Sequence, residues 1–213
     1  MKAFMLFLLL IPFGFSSAQK IGELAPPKPP EVFPPNSWGV DIMFGEGGFG
    51  LGTFYRHSLS ETLTGFVDFS MSELKDEREV QYIDYFGNTY TPNKVNRAFL
   101  LPLNFGLQYR MFENSITDNF RPFITVGVGP NLVLTTPYDT EYFTAFKFSQ
   151  AHYAVGGYIG LGANVGISKS NLVGLTVKYM YARVLGDSFE TMIGTYKKEF
   201  GQFYITLNLG IMY

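Results

Sequence analysis

Eight stretches of the chain alternate apolar residues with polar or small ones at a period of two. The last stretch is the clearest, since its odd positions form one apolar series: Phe203, Ile205, Leu207, Leu209, Ile211 and Tyr213. A period of two indicates a β-strand whose two faces meet different surroundings. The pattern predicts strands over residues 38–44, 49–57, 63–72, 98–112, 121–134, 152–167, 171–182 and 201–213.

The segments between these strands alternate in length after a first short turn at residues 45–48. Three later segments are short: 58–62, 113–120 and 168–170. Three are long: 73–97, 135–151 and 186–200. The first long segment carries a hairpin signal at Gly87-Asn88. An even strand number with short turns at one end and long loops at the other is typical of bacterial outer-membrane barrels. The sequence therefore predicts an all-β fold, an eight-stranded antiparallel transmembrane up-and-down β-barrel.

A soluble lipocalin-like barrel or a sandwich is the alternative, and it would place the apolar faces inside. The opposite face would then be exposed to water, although it carries many glycines, such as Gly156, Gly160 and Gly162. Glycines suit a crowded interior better than a solvated surface. The last strand also ends on an aromatic residue, with nothing after it to cover its apolar face. These two features favour the membrane barrel, whose closure leaves no unpaired sheet edge in lipid.

The N-terminus has the form of a secretory signal. Lys2 precedes an apolar run over residues 4–15 and a small-residue cleavage site at residues 16–18. The run is shorter than the ~20 residues of a spanning helix. We therefore expect a signal peptide at 1–18, a Pro-rich periplasmic tether at 19–36 and the barrel at 37–213. The prolines make the tether stiff and extended, which suits a spacer or, alternatively, a polyproline ligand for a periplasmic partner.

Composition excludes several classes of function. The formal net charge of −2 gives no electrostatic support for binding nucleic acid. The absence of cysteine removes disulfides, thiol catalysis and cysteine metal sites. Two distant histidines do not make a metal site, and we expect no cofactor.

With its signal peptide, its eight alternating strands and its final aromatic Tyr213, the chain resembles small outer-membrane barrels of the OmpA/OmpX-like superfamily. Residues 121–129, RPFITVGVG, resemble a recurrent strand of that group. The resemblance covers residues 38–213. It implies a place in the outer membrane of a Gram-negative bacterium and contact with outer-membrane lipid. It also implies that the apolar series ending at Tyr213 is the signal read by the barrel-assembly machinery, with periplasmic chaperones as further partners during biogenesis. Tyr213 stands where phenylalanine is more usual.

Strand parity places five charged residues in the barrel interior: Asp41, Arg56, Asp68, Arg110 and Lys178. An eight-stranded barrel is just wide enough for side chains to fill it. Charges buried there must be paired or hydrogen-bonded. We predict a salt-bridged plug, and a narrow ion path lined by the same groups is the alternative.

His152 raises the question of an enzyme, because Ser149 lies beside it and Asp139 and Glu141 lie in the same loop. A serine nucleophile needs a base and an orienting acid of these kinds. The spacing matches no motif of the lipid A-modifying barrels, so we expect a rim histidine in water and assign no catalytic residue.

The long loops are rich in tyrosine and phenylalanine, which serve either an interfacial girdle or a recognition surface. The expected function is a structural or surface-interaction role through the extracellular loops of a monomeric, non-enzymatic barrel. The alternatives are a small passive pore and a lipid A-modifying enzyme.

Overall fold

The computed structural model describes residues 33–113, 115–116, 119–166 and 170–213. Its eight long strands are β1 (Asn36–Gly45), β2 (Gly48–Ser58), β3 (Leu63–Leu74), β6 (Asn96–Arg110), β7 (Phe120–Pro137), β8 (Gln150–Gly166), β9 (Asn171–Val184) and β12 (Glu199–Met212). Two short hairpins are formed by β4 (Tyr82–Ile83) with β5 (Thr89–Tyr90) and by β10 (Phe189–Met192) with β11 (Thr195–Lys197). A single helical turn, α1 (Tyr142–Ala145), runs into a 3₁₀ turn, η1 (Phe146–Phe148).

The eight long strands close into an antiparallel barrel in the order β1-β12-β9-β8-β7-β6-β3-β2. The first and last strands complete the ring, with Trp38 opposite Ile211 and Phe44 opposite Ile205. The backbones of Asn36 and Tyr213 exchange two hydrogen bonds of 3.1 and 2.9 Å at the end of this seam. The predicted eight-stranded antiparallel fold is confirmed, and the strands extend a few residues beyond several of the predicted bounds.

Three long connections leave the same end of the barrel, here called the outer end. They are L2 (residues 75–95), L3 (138–149) and L4 (185–198). The hairpin predicted near Gly87 is present in L2 as β4 and β5. The helical turn in L3 and the hairpin in L4 are additions that the sequence pattern did not predict. Among the described residues, no helix is long and apolar enough to cross a membrane.

The two faces of each long strand differ as the alternation predicts, with the apolar face turned outward. Exposed apolar side chains form a belt around the middle of the wall: Val40, Leu51, Phe105, Leu107, Val126, Val128, Ile159, Leu161, Leu175, Val177 and Ile205. The interior at the same level holds buried polar side chains: Asn104, Thr125, Thr176, Thr206 and Asn208. The soluble-barrel alternative, with its apolar face inside, is therefore wrong.

Exposed aromatic residues flank this belt on both sides. The inner girdle, near the chain ends, consists of Trp38, Tyr55, Tyr109, Phe120 and Tyr213. The outer girdle, near the long loops, consists of Phe44, Phe49, Tyr179, Tyr181 and Phe203, with ring centroids 4.8 Å apart for Tyr179 and Phe203. An apolar band between two aromatic rings is typical of the outer surface of membrane barrels.

Residues 1–32 lie outside the described residues, and with them the predicted signal peptide and most of the predicted tether. Phe33, at the end of the tether, packs beneath the barrel against Phe54, Leu172 and Met212. The guanidinium of Arg121 lies 3.9 Å from the centre of the Phe33 ring. The chain thus enters the barrel across its inner mouth.

Replacing Gly129 with alanine is expected to destabilise the barrel by about 1–3 kcal/mol, the usual cost of overpacking. The added Cβ would fall on the backbone carbonyl of Leu103 on the neighbouring strand, which cannot turn away as a side chain could. Gly65→Ala is the matched control, because its Cβ would come no closer than 3.5 Å to its nearest neighbour, the Leu59 side chain, which is ordinary van der Waals contact. Urea unfolding of both variants in detergent micelles measures the difference, and equal stabilities would contradict the expected clash.

Candidate functional site

Asp68, on β3, is the centre of a polar cluster inside the barrel. Its buried carboxylate accepts one hydrogen bond from the Asn104 side chain, at 2.9 Å, and another from the Tyr158 hydroxyl, at 2.6 Å. The Tyr158 ring stacks on Phe66 with centroids 6.0 Å apart. The carboxylate therefore joins β3 to β6 and to β8 through the interior, while its polar partners compensate its removal from water.

Arg56, on β2, is buried in the same interior. Its guanidinium lies 4.1 Å from the centre of the Phe54 ring and 5.9 Å from that of Phe123. Its Nη1 donates to Oδ1 of Asn164 at 3.4 Å. The cation is therefore accommodated by two aromatic faces and an amide, which stabilise a cation away from water.

Asp41 and Lys178 complete the central cluster. Asp41 accepts a 2.5 Å hydrogen bond from the Asn208 amide, and Asn208 in turn accepts from Thr176 at 2.7 Å. The Lys178 ammonium lies 4.8 Å from the centre of the Tyr158 ring. Among the described residues, no ion pair within 4 Å joins any two of the interior charges, so the predicted salt bridges are replaced by amide, hydroxyl and aromatic contacts.

Arg110, the fifth predicted interior charge, lies apart from the other four. It sits at the inner end of β6, half-buried, and its Nη2 donates to the carbonyl of Ile116 in the turn that follows. The remaining free space among the central residues is about 20 Å³, lined by Asp41, Arg56, Asp68, Tyr158, Lys178 and their neighbours. That volume holds about one water molecule, so side chains fill this level of the barrel.

Apolar clusters occupy the interior on both sides of the polar level. On the outer side Phe189, from β10, stacks on Phe200 with centroids 5.4 Å apart, above buried Leu100, Met180 and Tyr204. On the inner side Phe54, Leu172 and Met212 pack against Phe33. The buried charged side chains are therefore enclosed between two apolar layers.

Lys94 ties the outer loops together. Its ammonium lies 2.8 Å from Glu79 and 3.4 Å from Glu73, and the side chains of Lys94 and Glu79 are both buried. The backbone of Lys94 also pairs with Met192 of L4 as an isolated β-bridge. The amide of Thr91 donates to the Tyr138 hydroxyl of L3 at 3.1 Å. L2 is thus attached to both other long loops.

A second junction between L2 and L4 is centred on Asp76. Its carboxylate lies 3.1 Å from the Lys197 ammonium and accepts from the Thr191 hydroxyl at 2.8 Å and from the Arg78 amide at 3.1 Å. Burial favours the neutral acid, but these hydrogen bonds and the charge of Lys197 together hold the pKa of Asp76 below its usual value. The ionised carboxylate is therefore the form that joins the loops.

The junction is expected to lose its protection against hydrogen exchange in acid. A carboxyl group whose pKa is lowered on folding stabilises the fold above its unfolded pKa of about 3.9, and this contribution is lost as the pH falls through the folded pKa. The hydrogen-exchange rate of residues 189–197, corrected for the intrinsic rate, should be constant from neutral pH down to about pH 5. At lower pH the corrected rate should rise. Asp76→Asn should exchange faster at neutral pH and show a smaller change in acid. An identical pH profile in both proteins would contradict the assignment.

The sequence predicted that His152 is a rim histidine in water, but the structure shows it only partly exposed. Its ring lies 4.8 Å from that of Phe189, half-buried at the outer mouth, and its Nε2 is 3.2 Å from the Thr135 hydroxyl. Glu141 instead caps α1, accepting from the backbone and hydroxyl of Thr144. No described contact joins His152 to Ser149, Asp139 or Glu141, so a serine–histidine–acid arrangement is not assembled. The described part of the chain also holds no group of three or more acids or histidines that could bind a metal.

A polar cleft of about 180 Å³ opens at the outer end between the β1–β2 turn and L2. Its lining combines the glycine-rich turn with Glu73 at the end of β3 and with charged or polar side chains of L2: Gly45, Glu46, Gly47, Gly48, Lys75, Glu79, Gln81 and Lys94. Sequence reasoning missed this cleft and both loop junctions. The one signal available was the concentration of charges over residues 73–97.

No protein-family model matches the chain, and no curated protein matches it in sequence. Its structure is similar to the N-terminal β-barrel domain of Pseudomonas aeruginosa OprF, with a TM-score of 0.47 and 11% identity over 84% of this chain and 98% of that chain. It is also similar to Neisserial surface protein A (NspA), with a TM-score of 0.45 and 11% identity over 84% and 96% of the two chains. For the outer membrane protein OprG from Pseudomonas aeruginosa the TM-score is 0.39 and the identity 15%, over 84% and 88%.

Proposed function

We propose that the chain is a monomeric integral protein of the outer membrane of a Gram-negative bacterium. The observation that supports this most is the exposed apolar belt around the barrel wall, flanked by two aromatic girdles around a polar interior. In water such a belt would be an aggregation surface far larger than the few hundred Å² that soluble monomers expose. In a bilayer the same belt contacts the lipid acyl chains, and the closed ring of strands leaves no unpaired strand edge.

We infer that the barrel does not conduct and acts through its outer surface. The interior charges are enclosed between the Phe189–Phe200 layer and the Phe33–Phe54 layer, with room for about one water at the polar level. Full-length protein in planar bilayers should therefore show no steady single-channel current. Stable ohmic steps that change size in Arg56→Ala would favour the pore instead.

The loops are the part of the molecule suited to surface interaction. The Lys94–Met192 β-bridge and the Asp76–Lys197 ion pair join L2 to L4, and the Thr91–Tyr138 hydrogen bond joins L2 to L3, so the loops form one platform rather than three separate segments. At its tip the β4–β5 hairpin exposes large apolar side chains, with Tyr85 98% and Phe86 84% exposed. Binding residues are commonly carried on loops held by a rigid scaffold. The proposed role is a structural or surface-interaction one, without catalysis.

Single-cysteine labelling in whole cells tests whether the long loops lie on the cell surface and the short turns in the periplasm. The chain has no cysteine of its own, so each introduced thiol is the single labelling site. Asn88→Cys places a thiol in L2, and Ser60→Cys places one in the short β2–β3 turn at the opposite end. A membrane-impermeant maleimide should label the first variant in intact cells and the second only after lysis. The outer-membrane fraction should also contain a heat-modifiable form on SDS gels. Soluble periplasmic protein without a mobility shift would overturn the proposal.

A further inference from the structure

L3 does not project freely from the barrel but folds down against its outer wall. Phe99 occupies an outward position on β6, two residues before Leu101, and is nevertheless only 3% exposed. Phe146 and Tyr142 of L3 cover it, with ring centroids 5.3 and 6.1 Å away. Residues 142–148, here called the aromatic turn, are therefore packed onto the apolar wall from outside.

The position of Phe99 places the aromatic turn at the upper boundary of the belt. Phe99 and the inner-girdle Tyr109 lie near opposite ends of β6 (Asn96–Arg110). With a rise of about 3.3 Å per residue and a strand tilt of about 40°, they are about 25 Å apart along the barrel axis. This equals the usual height of the apolar band of an outer-membrane barrel.

The exposed side chains of the aromatic turn combine large apolar ones with the polar Thr144 and Lys147. The apolar ones are Phe143, which is 79% exposed, and Phe148, which is 61% exposed, and Tyr153 near the start of β8 is exposed as well. The edge toward L2 is polar, because the Arg97 guanidinium lies over the Tyr138 ring, at 4.8 Å, and donates to backbone carbonyls of Pro137 and Thr140. The turn therefore exposes two phenylalanines at the upper boundary of the belt and has a cationic edge toward L2.

We infer that the aromatic turn is a membrane-surface anchor, with Phe143 and Phe148 inserted at the boundary between the headgroups and acyl chains of the surrounding lipid. This inference rests on the proposed membrane location. Lipid is chosen over a protein partner because the aromatic turn continues the lipid-facing wall through Phe99 and Leu101, at the level where amphipathic aromatic segments lie in bilayers. L3 would then fix the barrel's depth in the membrane and leave surface recognition to L2 and L4.

Depth-dependent quenching of tryptophan fluorescence tests the anchor. The chain has one tryptophan, so Trp38→Phe supplies a silent background. Into it are placed Phe143→Trp in the aromatic turn, Phe105→Trp in the middle of the belt and Phe86→Trp at the tip of L2. Each variant is folded into phosphatidylcholine vesicles whose acyl chains are brominated either near the glycerol backbone or near their ends. Phe148→Trp is a second reporter of the turn in case Phe143→Trp does not give the heat-modifiable form.

We expect tryptophan at 143 to be quenched most by lipid brominated near the glycerol backbone, tryptophan at 105 by lipid brominated near the chain ends, and tryptophan at 86 by neither. If position 105 is quenched while positions 143 and 148 behave like position 86, the anchor is wrong and the membrane barrel stands. If position 105 is not quenched either, the membrane location itself is wrong.

Discussion

Asp68→Ala is expected to lower the free energy of unfolding of the barrel by about 3–5 kcal/mol, the usual result of removing one member of a buried charged network. The change leaves the Asn104 amide and the Tyr158 hydroxyl without their acceptor. It also leaves two buried cations, Arg56 and Lys178, against the single carboxylate of Asp41. Urea unfolding in detergent micelles, followed by Trp38 fluorescence and heat-modifiability, measures the loss.

Two further variants separate the hydrogen bonds of Asp68 from its charge. Asp68→Asn keeps an acceptor for one of the two donors and should cost less than alanine, about 1–3 kcal/mol. Adding Lys178→Met to Asp68→Asn restores the balance between interior cations and anions. The double variant should therefore be more stable than the sum of the two single changes predicts, as expected for coupled neighbours. If Asp68→Ala unfolds with the same free energy as the wild type, the cluster is in contact with water and the barrel interior is open to solvent.

The inward direction of Asp68 could be predicted from the sequence, but its partners could not. Alternation assigns a residue to one face of its strand, and Asp68, Asp41, Arg56 and Lys178 are buried as that parity requires. The contact between Asp68 and Tyr158 depends on the register of every strand pair from β3 through β6 and β7 to β8. A period of two carries no register information, because shifts by two residues preserve the pattern.

Phe99 shows a second limit of the same reasoning. Its parity groups it with the exposed belt, while the packing of Phe146 and Tyr142 buries it. In the loops, Lys94 and Asp76 lie in segments without regular periodicity, so nothing local predicts that they meet Glu79 and Lys197. Alternation predicted the barrel because every strand repeats the same signal. The loop platform depends on single side-chain contacts that have no repeat.

Val126→Arg is expected to destabilise the barrel in lipid vesicles by about 2–4 kcal/mol, the cost of arginine on the lipid face at the bilayer midplane. Val126 is 55% exposed in the middle of β7. Val80→Arg is the matched control, because Val80 is 56% exposed in L2, outside the wall. Residues of equal exposure on a water-soluble protein tolerate such a change within about 0.5 kcal/mol.

The comparison of these two valines tests the membrane location independently of any cell. If the belt contacts lipid, arginine at 126 is costly and arginine at 80 is neutral, although both side chains are equally exposed. The penalty at 126 should shrink in short-chain detergent, where water and headgroups approach the wall. If both substitutions are neutral in vesicles, the apolar belt faces water or another surface, and the aromatic turn over Phe99 loses its proposed lipid contact as well.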